Sequence, residues 1–153
     1  MKALAARLAA ATFAGLAGLG LVPGTATAQT PADSAAIRTT ALDYIEGFYT
    51  GDADRMDRAL HDDLKKRIVQ RKPGELEVLD EMSKDQLVQM TAGGGGKGMP
   101  DDLKVSDVTI LDIYGEMASV KIVAGAWVDY MHLARVNGDW VIVNVLWEML
   151  PRE

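Results

Sequence analysis

WVDYMHLARVNGDWVIVNVLW, residues 127–147, is the stretch whose reading decides the fold. Two Val/Ile-rich runs, Val128–Val136 and Trp140–Trp147, flank Asn137-Gly138-Asp139. An Asn-Gly pair between two such runs is a strong hairpin signal. Side chains alternate along strands. With the loop at either Asn137-Gly138 or Gly138-Asp139, Tyr130, His132 and Ala134 are therefore expected to share a face with Val141, Val143, Val145 and Trp147. The opposite face carries Met131, Leu133, Trp140, Ile142 and Leu146. Both faces are largely apolar, and helices from one small layer cover only one of them. The other face predicts a homodimer built on the sheet, unless sheet curvature covers part of both.

Working back toward the N-terminus, Val105–Ile113 and Ala118–Trp127 are two further strand-like runs, separated by Tyr114-Gly115-Glu116. A bend is expected near Trp127–Asp129. Upstream the period changes. Ile37, Ala41, Leu42, Ile45, Phe48 and Tyr49 recur at helical spacing, with a cap expected at Asp33 or Ser34 and an exit at Thr50-Gly51. Asp52 opens a shorter helix with Met56, Ala59 and Leu60 on one side. Leu64–Val69 reads as a strand, Pro73-Gly74 as a turn, and Leu76–Leu79 as a short strand or irregular segment. Ser83 and Gln86 form a capping-box pattern opening a third helix through Leu87, Val88 and Met90. Three helices followed by an antiparallel meander is an α+β pattern.

The glycine run Gly93–Gly96 with Lys97-Gly98 invites a phosphate-loop reading, which fails. Thr91 stands where that loop needs its first glycine, and Gly98 where it needs Ser or Thr. A flexible connector is the expectation instead.

The 153 residues amount to one domain plus a leader. Lys2 and Arg7 precede the uncharged run Leu8–Val22, and Ala26-Thr27-Ala28 forms a small-x-small exit. This pattern predicts a signal peptide over residues 1–28 and a mature domain over 29–153, exported to the periplasm or beyond the cell. The apolar run is short against the roughly 20 residues a membrane span needs, and its Ala- and Gly-rich character points to a bacterial source. Cleavage removes Lys2 and Arg7 and no acid, so the net charge of −6 becomes −8. Such a domain repels phosphate backbones, which argues against nucleic acid as a partner. The basic run Lys65-Lys66-Arg67 is flanked by acids and reads as a solvated or locally paired strand. The chain has no cysteine, which excludes thiol catalysis, thiolate-bound zinc and a lipid on cysteine.

The order of elements resembles the nuclear transport factor 2-like superfamily, and within it the putative lumazine-binding family. The resemblance is carried by Asp43-Tyr44-Ile45-Glu46-Gly47-Phe48-Tyr49-Thr50-Gly51-Asp52, His61-Asp62-Asp63-Leu64-Lys65-Lys66-Arg67, Trp127-Val128-Asp129-Tyr130-Met131-His132-Leu133 and the closing Asn137–Trp147 segment. It implies a cone-shaped fold, with three helices packed on a curved, mostly antiparallel sheet around a pocket. The superfamily includes ketosteroid isomerases, in which a helix tyrosine and a sheet aspartate donate to an oxyanion while a second carboxylate moves the proton. Tyr44 matches the tyrosine, and His132 falls where the aspartate would stand. The strand expected to supply the base reads Lys65-Lys66-Arg67, so the isomerase mechanism lacks its carboxylate.

Three functions follow. The first is a small-molecule pocket walled by Tyr44, Phe48, Tyr130, His132 and Trp147, taking a small hydrophobic or aromatic ligand and no cofactor. The second is an acid–base enzyme (a cyclase, dehydratase or isomerase) using His132 as proton carrier and Tyr44 as donor. The third is a dimeric envelope interaction protein using the outer sheet face. Each residue also has an ordinary structural role. Tyr44 suits a half-buried helix position, His132 a core strand, and Asp129 a pair with Arg67 or Lys66. Trp127 and Trp147 suit core or dimer packing, or stacking on a flat ring. His61-Asp62-Asp63 reads as a surface turn, and no metal site is expected.

Overall fold

The computed structural model describes residues 30–151, and of residues 71–72 and 75–79 the backbone alone. The expected signal segment, residues 1–28, lies outside the described residues. Helix α1 spans Pro31–Thr50, α2 Ala53–Ala59 and α3 Lys84–Ala92. The strands are β1 Leu60–Lys72, β2 Glu75–Met82, β3 Asp107–Tyr114, β4 Met117–Ala124, β5 Trp127–Val136 and β6 Asp139–Met149.

Local chemistry sets the helix limits. The cap of α1 is Thr30, earlier than the expected Asp33 or Ser34. Thr30 Oγ1 accepts from Asp33 N at 3.1 Å, and the Asp33 carboxylate accepts from Thr30 N at 3.2 Å. Asp33 is thus the reciprocal half of a capping box. Gly51 ends α1 at φ 70°, a conformation that costs glycine little. Asp52 caps α2, accepting from Arg55 N at 3.0 Å. Arg55 then reaches back to Asp43 at 2.9 Å and Glu46 at 2.8 Å, bracing α2 against α1. Ser83 and Gln86 cap α3 reciprocally, as their spacing predicts.

The strands form one sheet in the order β2-β1-β6-β5-β4-β3. Only the β1–β6 pair is parallel; the other pairs are antiparallel. Ile37, Ala41 and Ile45 of α1 bury against Val120, Ile122, Met131, Leu133, Ile142 and Val145 of the sheet, forming the core. The α+β expectation holds, with strands longer at β1 and β2 than the sequence pattern suggests.

The β5–β6 hairpin turns on Asn137 at φ 53° and Gly138 at φ 99°, with Val136 opposite Asp139. Positive φ at both central residues is the type I′ geometry that matches strand twist. Pairing is regular back to Leu133 opposite Ile142; then His132 faces Asn144, leaving Val143 as an extra residue. This bulge corrects the expected faces. Beyond it the alternation of β6 is inverted. Val145 and Trp147 join Met131, Asp129, Leu133, Trp140 and Ile142 on the helix side, while Leu146 joins Tyr130 and His132 outside. The bend between β4 and β5 also lies earlier than expected, at Gly125-Ala126. Gly125 has φ 61°, and a Cβ there would stand 2.3 Å from Leu103 O.

Candidate functional site

A cavity of about 460 Å³ opens between the C-terminal half of α1, α3 with the glycine segment after it, the middle of β1, and the start of β5 and end of β6. Its walls are mainly apolar. Ile45, Phe48, Leu87, Leu103, Trp127 and Trp147 line it, together with Met56, Met82, Met90, Met99 and Met149. Trp127 stands edge-on to Phe48, centroids 6.0 Å apart, and to Trp147 at 6.4 Å. Gly95 also borders the cavity. The glycine segment is no loose connector at this point: Gly96 is buried, and a Cβ there would lie 2.4 Å from Phe48 O.

Polar groups gather at one end. Tyr44 comes from α1, Lys66 from β1 and Asp129 from β5, and all three are buried. Lys66 Nζ donates to Asp129 Oδ1 at 2.8 Å and to Tyr44 Oη at 2.5 Å. Asp129 Oδ2 accepts from Trp127 Nε1 at 2.8 Å and, at a longer 3.4 Å, from the Tyr44 hydroxyl. The Lys66 ammonium also lies 4.8 Å from the centre of the Trp147 ring and 5.3 Å from that of Tyr44, within cation–π range. Lys66 is placed by parity: Leu64 and Lys66 alternate with exposed Lys65 and half-buried Arg67, which pair with Glu81 at 2.9 and 2.8 Å. The basic run is therefore locally paired at its two outward residues and buried at the middle one.

Burial, followed by the Asp129 charge, pushes the Tyr44 hydroxyl well above the usual phenol range. Tyr44 is thus a neutral hydroxyl at any physiological pH. Burial likewise pushes the Lys66 ammonium down from the usual lysine value, against the opposing charge and hydrogen bond of Asp129. Asp129 spends its oxygens on Lys66, Trp127 and Tyr44. It is held beside Lys66 and does not itself line the cavity.

The sequence-derived site residues divide in two. Tyr44, Phe48 and Trp147 line the cavity. Tyr130 and His132 do not: both are exposed on the outer face, where His132 Nδ1 lies 3.4 Å from Asn144 Nδ2. His132 borders a separate, shallower groove of about 300 Å³ with Asp112 and Ser119. Tyr44 and His132 therefore do not converge on one cavity, and the acid–base pairing of these two residues is not formed. Parity along β5 is the cause, since Asp129, Met131 and Leu133 turn toward α1 and leave Tyr130 and His132 on the opposite side; the Val143 bulge separately brings Trp147 to the helix side. Sequence reasoning missed Lys66 as a cavity residue, and gave Trp127 only as packing or as a platform for a flat ring. The alternation of Lys66 with Leu64 was the available signal. Asp129 does pair with Lys66, one of its two expected partners. Among the described residues no cluster of three His, Cys, Asp or Glu side chains is placed to hold a metal ion. No helix among them is long and apolar enough to cross a membrane.

A family model described as "Putative lumazine-binding" matches residues 32–148, and the chain belongs to that family. Among solved structures, a nuclear transport factor 2-like protein of unknown function from Silicibacter pomeroyi is similar at 20% identity and TM-score 0.59, over 80% of this chain and 100% of that one. One from Shewanella baltica, also of unknown function, is similar at 19% identity and TM-score 0.58, over 81% and 99%. A third, from Novosphingobium aromaticivorans and described as having a cystatin-like fold, gives 14% identity and TM-score 0.58 over 80% and 84%. At these identities the likeness establishes the nuclear transport factor 2-like fold. No curated protein matches the chain.

Proposed function

We propose that this member of the lumazine-binding type of the nuclear transport factor 2-like superfamily is an exported binding protein for a small hydrophobic or aromatic molecule. Membership of the family supports small-molecule binding. The observation that carries the reading is the cavity of about 460 Å³, apolar along its walls and polar only where Lys66, Tyr44 and Asp129 meet. A pocket of that size, mostly apolar with a few convergent polar groups, is what drug-sized ligands occupy. Five methionines on the wall suit a ligand of adaptable outline, because the unbranched thioether repacks around different shapes. Trp127 and Trp147 offer faces and edges to a flat ring.

The export signal over residues 1–28 and a homodimer through the outer sheet face belong to the same proposal. The dimer is supported by Tyr114, Met117, Tyr130 and Leu146, large apolar side chains that remain exposed in the single chain.

Binding is tested by titrating the mature protein with 2-methoxynaphthalene and following tryptophan emission, since two of the three tryptophans line the cavity. Saturable quenching that weakens in Ala126→Phe, which adds a ring to the cavity wall, is the expected result. Quenching that never saturates, or is indifferent to Ala126→Phe, refutes the pocket. Recovery of secreted protein beginning at Gln29 checks export.

A further inference from the structure

Lys66 is an odd choice for its position. Its neighbours in the cavity are methionines and aromatics, and a buried ion pair is often no more stable than apolar residues of similar volume. A lysine desolvated in an apolar pocket is, however, the usual setting for a reactive amine. Building on the ligand-cavity reading above, we propose that Lys66 captures an apolar aromatic aldehyde as an iminium, with Asp129 as the counterion.

The geometry supplies each part. An ammonium has three N–H donors, and Lys66 gives one to Asp129 and one to Tyr44. One proton passes from Nζ to Asp129 Oδ1, 2.8 Å away, which frees the amine lone pair. That pair attacks the carbonyl carbon, and the carbon–oxygen π pair moves onto oxygen. A second amine proton moves to this oxygen, giving a neutral carbinolamine. The proton held by Asp129 then goes to the carbinolamine hydroxyl, which leaves as water as the nitrogen pair closes the C=N bond. The balance is one ammonium and one aldehyde giving one iminium and one water, with Asp129 returned to its carboxylate. No oxidant or further reactant is needed.

Charge favours this outcome. An iminium carries the same single positive charge as the ammonium it replaces, so the buried pair with Asp129 stays neutral. A carboxylic acid in the same place would set two negative charges against one positive one, in a cavity too apolar to solvate the excess. The Tyr44 hydroxyl, which now accepts from Nζ, is placed to donate to the carbinolamine oxygen. Burial lowers the Lys66 pKa, which raises the share of free amine at a given pH. The ring of the aldehyde would lie among Phe48, Trp127 and Trp147, and Met56 and Met99 would close around it.

The test uses the mature protein with 6-methoxy-2-naphthaldehyde and cyanoborohydride, which reduces an iminium to a stable amine. Adducts are located by peptide mapping, and 2-methoxynaphthalene, which lacks the aldehyde, reports noncovalent occupancy in parallel. The expected result is one dominant adduct, on Lys66, formed ahead of any on exposed Lys65 or Lys97. Lys66→Arg keeps the positive charge and should lose that adduct; mapping of the unsubstituted protein stands without it. Adducts spread over the exposed lysines, or none, while 2-methoxynaphthalene still quenches tryptophan would overturn the iminium and leave the pocket standing. Absence of both signals would overturn the two readings together.

Discussion

Replacing Lys66 by Met should destabilise the fold by about 3–5 kcal/mol at neutral pH, the usual cost of leaving one member of a buried ion pair without its partner. At an N–O separation of 2.8 Å, the attraction between Lys66 and Asp129 is about 6 kcal/mol at an effective dielectric of 20. The desolvation of two ions, several kcal/mol each, offsets that gain. The net worth of the pair is therefore near zero, although either charge alone is costly. Asp129, 0% exposed, would keep only Trp127 and the long Tyr44 contact. Asp129→Leu should be comparably costly. The double variant Lys66→Met, Asp129→Leu should lie within about 1–2 kcal/mol of the parent, the residual reflecting the lost Trp127 hydrogen bond. Urea denaturation of the four proteins closes the cycle. A single substitution costing under about 1 kcal/mol, or a double variant as unstable as the sum of the singles, would show that the two charges are not energetically coupled.

Four further outcomes follow from the same geometry. Burial, followed by the Asp129 charge, pushes the Tyr49 hydroxyl up to about 12 from 10.0. Stability should therefore be full below about pH 10 and fall as pH rises toward 12, and Tyr49→Phe should flatten that window in denaturation midpoints taken across it. Partial burial raises the Asp43 carboxyl, but the hydrogen bonds from Arg58 and then Arg55 outweigh it and hold the pKa below 3.8. The stability contributed by Asp43 should be present above pH 3.8 and lost as pH falls through the lowered value, and Asp43→Asn should remove that acid-side loss. Gly96→Ala would push a Cβ to 2.4 Å from Phe48 O, so a loss of about 1–3 kcal/mol and weaker probe binding are expected; an unchanged melting curve would contradict the close packing. Tyr130→Glu with Leu146→Glu should give a folded monomer by light scattering, whereas a dimer insensitive to both would place its interface elsewhere.

The site was partly legible in the sequence. Phe48 could be placed because it recurs at helical spacing with Ile37, Ala41 and Ile45, and Tyr44 because it matches the tyrosine that the family resemblance implies. Trp147 was assigned to the face of Tyr130 and His132 by counting in twos from the Asn137-Gly138 turn. The count is right as far as Ile142 and fails at Val143, where one extra residue reverses every side chain that follows. Nothing at Val143 marks the bulge, since neither Gly nor Pro stands there and Val is an ordinary strand residue. Lys66 escaped notice because three consecutive basic residues look solvated, although its alternation with Leu64 marks the middle one as sharing the buried face.

Sequence alone therefore determined what short-range chemistry controls. This includes the Ser83–Gln86 capping box, the glycine exit of α1, the hairpin at Asn137–Asp139, the order of helices and strands, and with them the α+β class. The tertiary structure decided what depends on partners far along the chain. Those features are the parallel β1–β6 contact, the bulge that sends Trp147 inward, the packing of Met131 and Leu133 toward the helices that leaves His132 outside, and the meeting of Tyr44, Lys66 and Asp129. The physical reason is that a cap or turn is set by hydrogen bonds within a few residues. The environment of a strand side chain is set instead by registry with a neighbour, and a shift of one residue in that registry exchanges core for solvent.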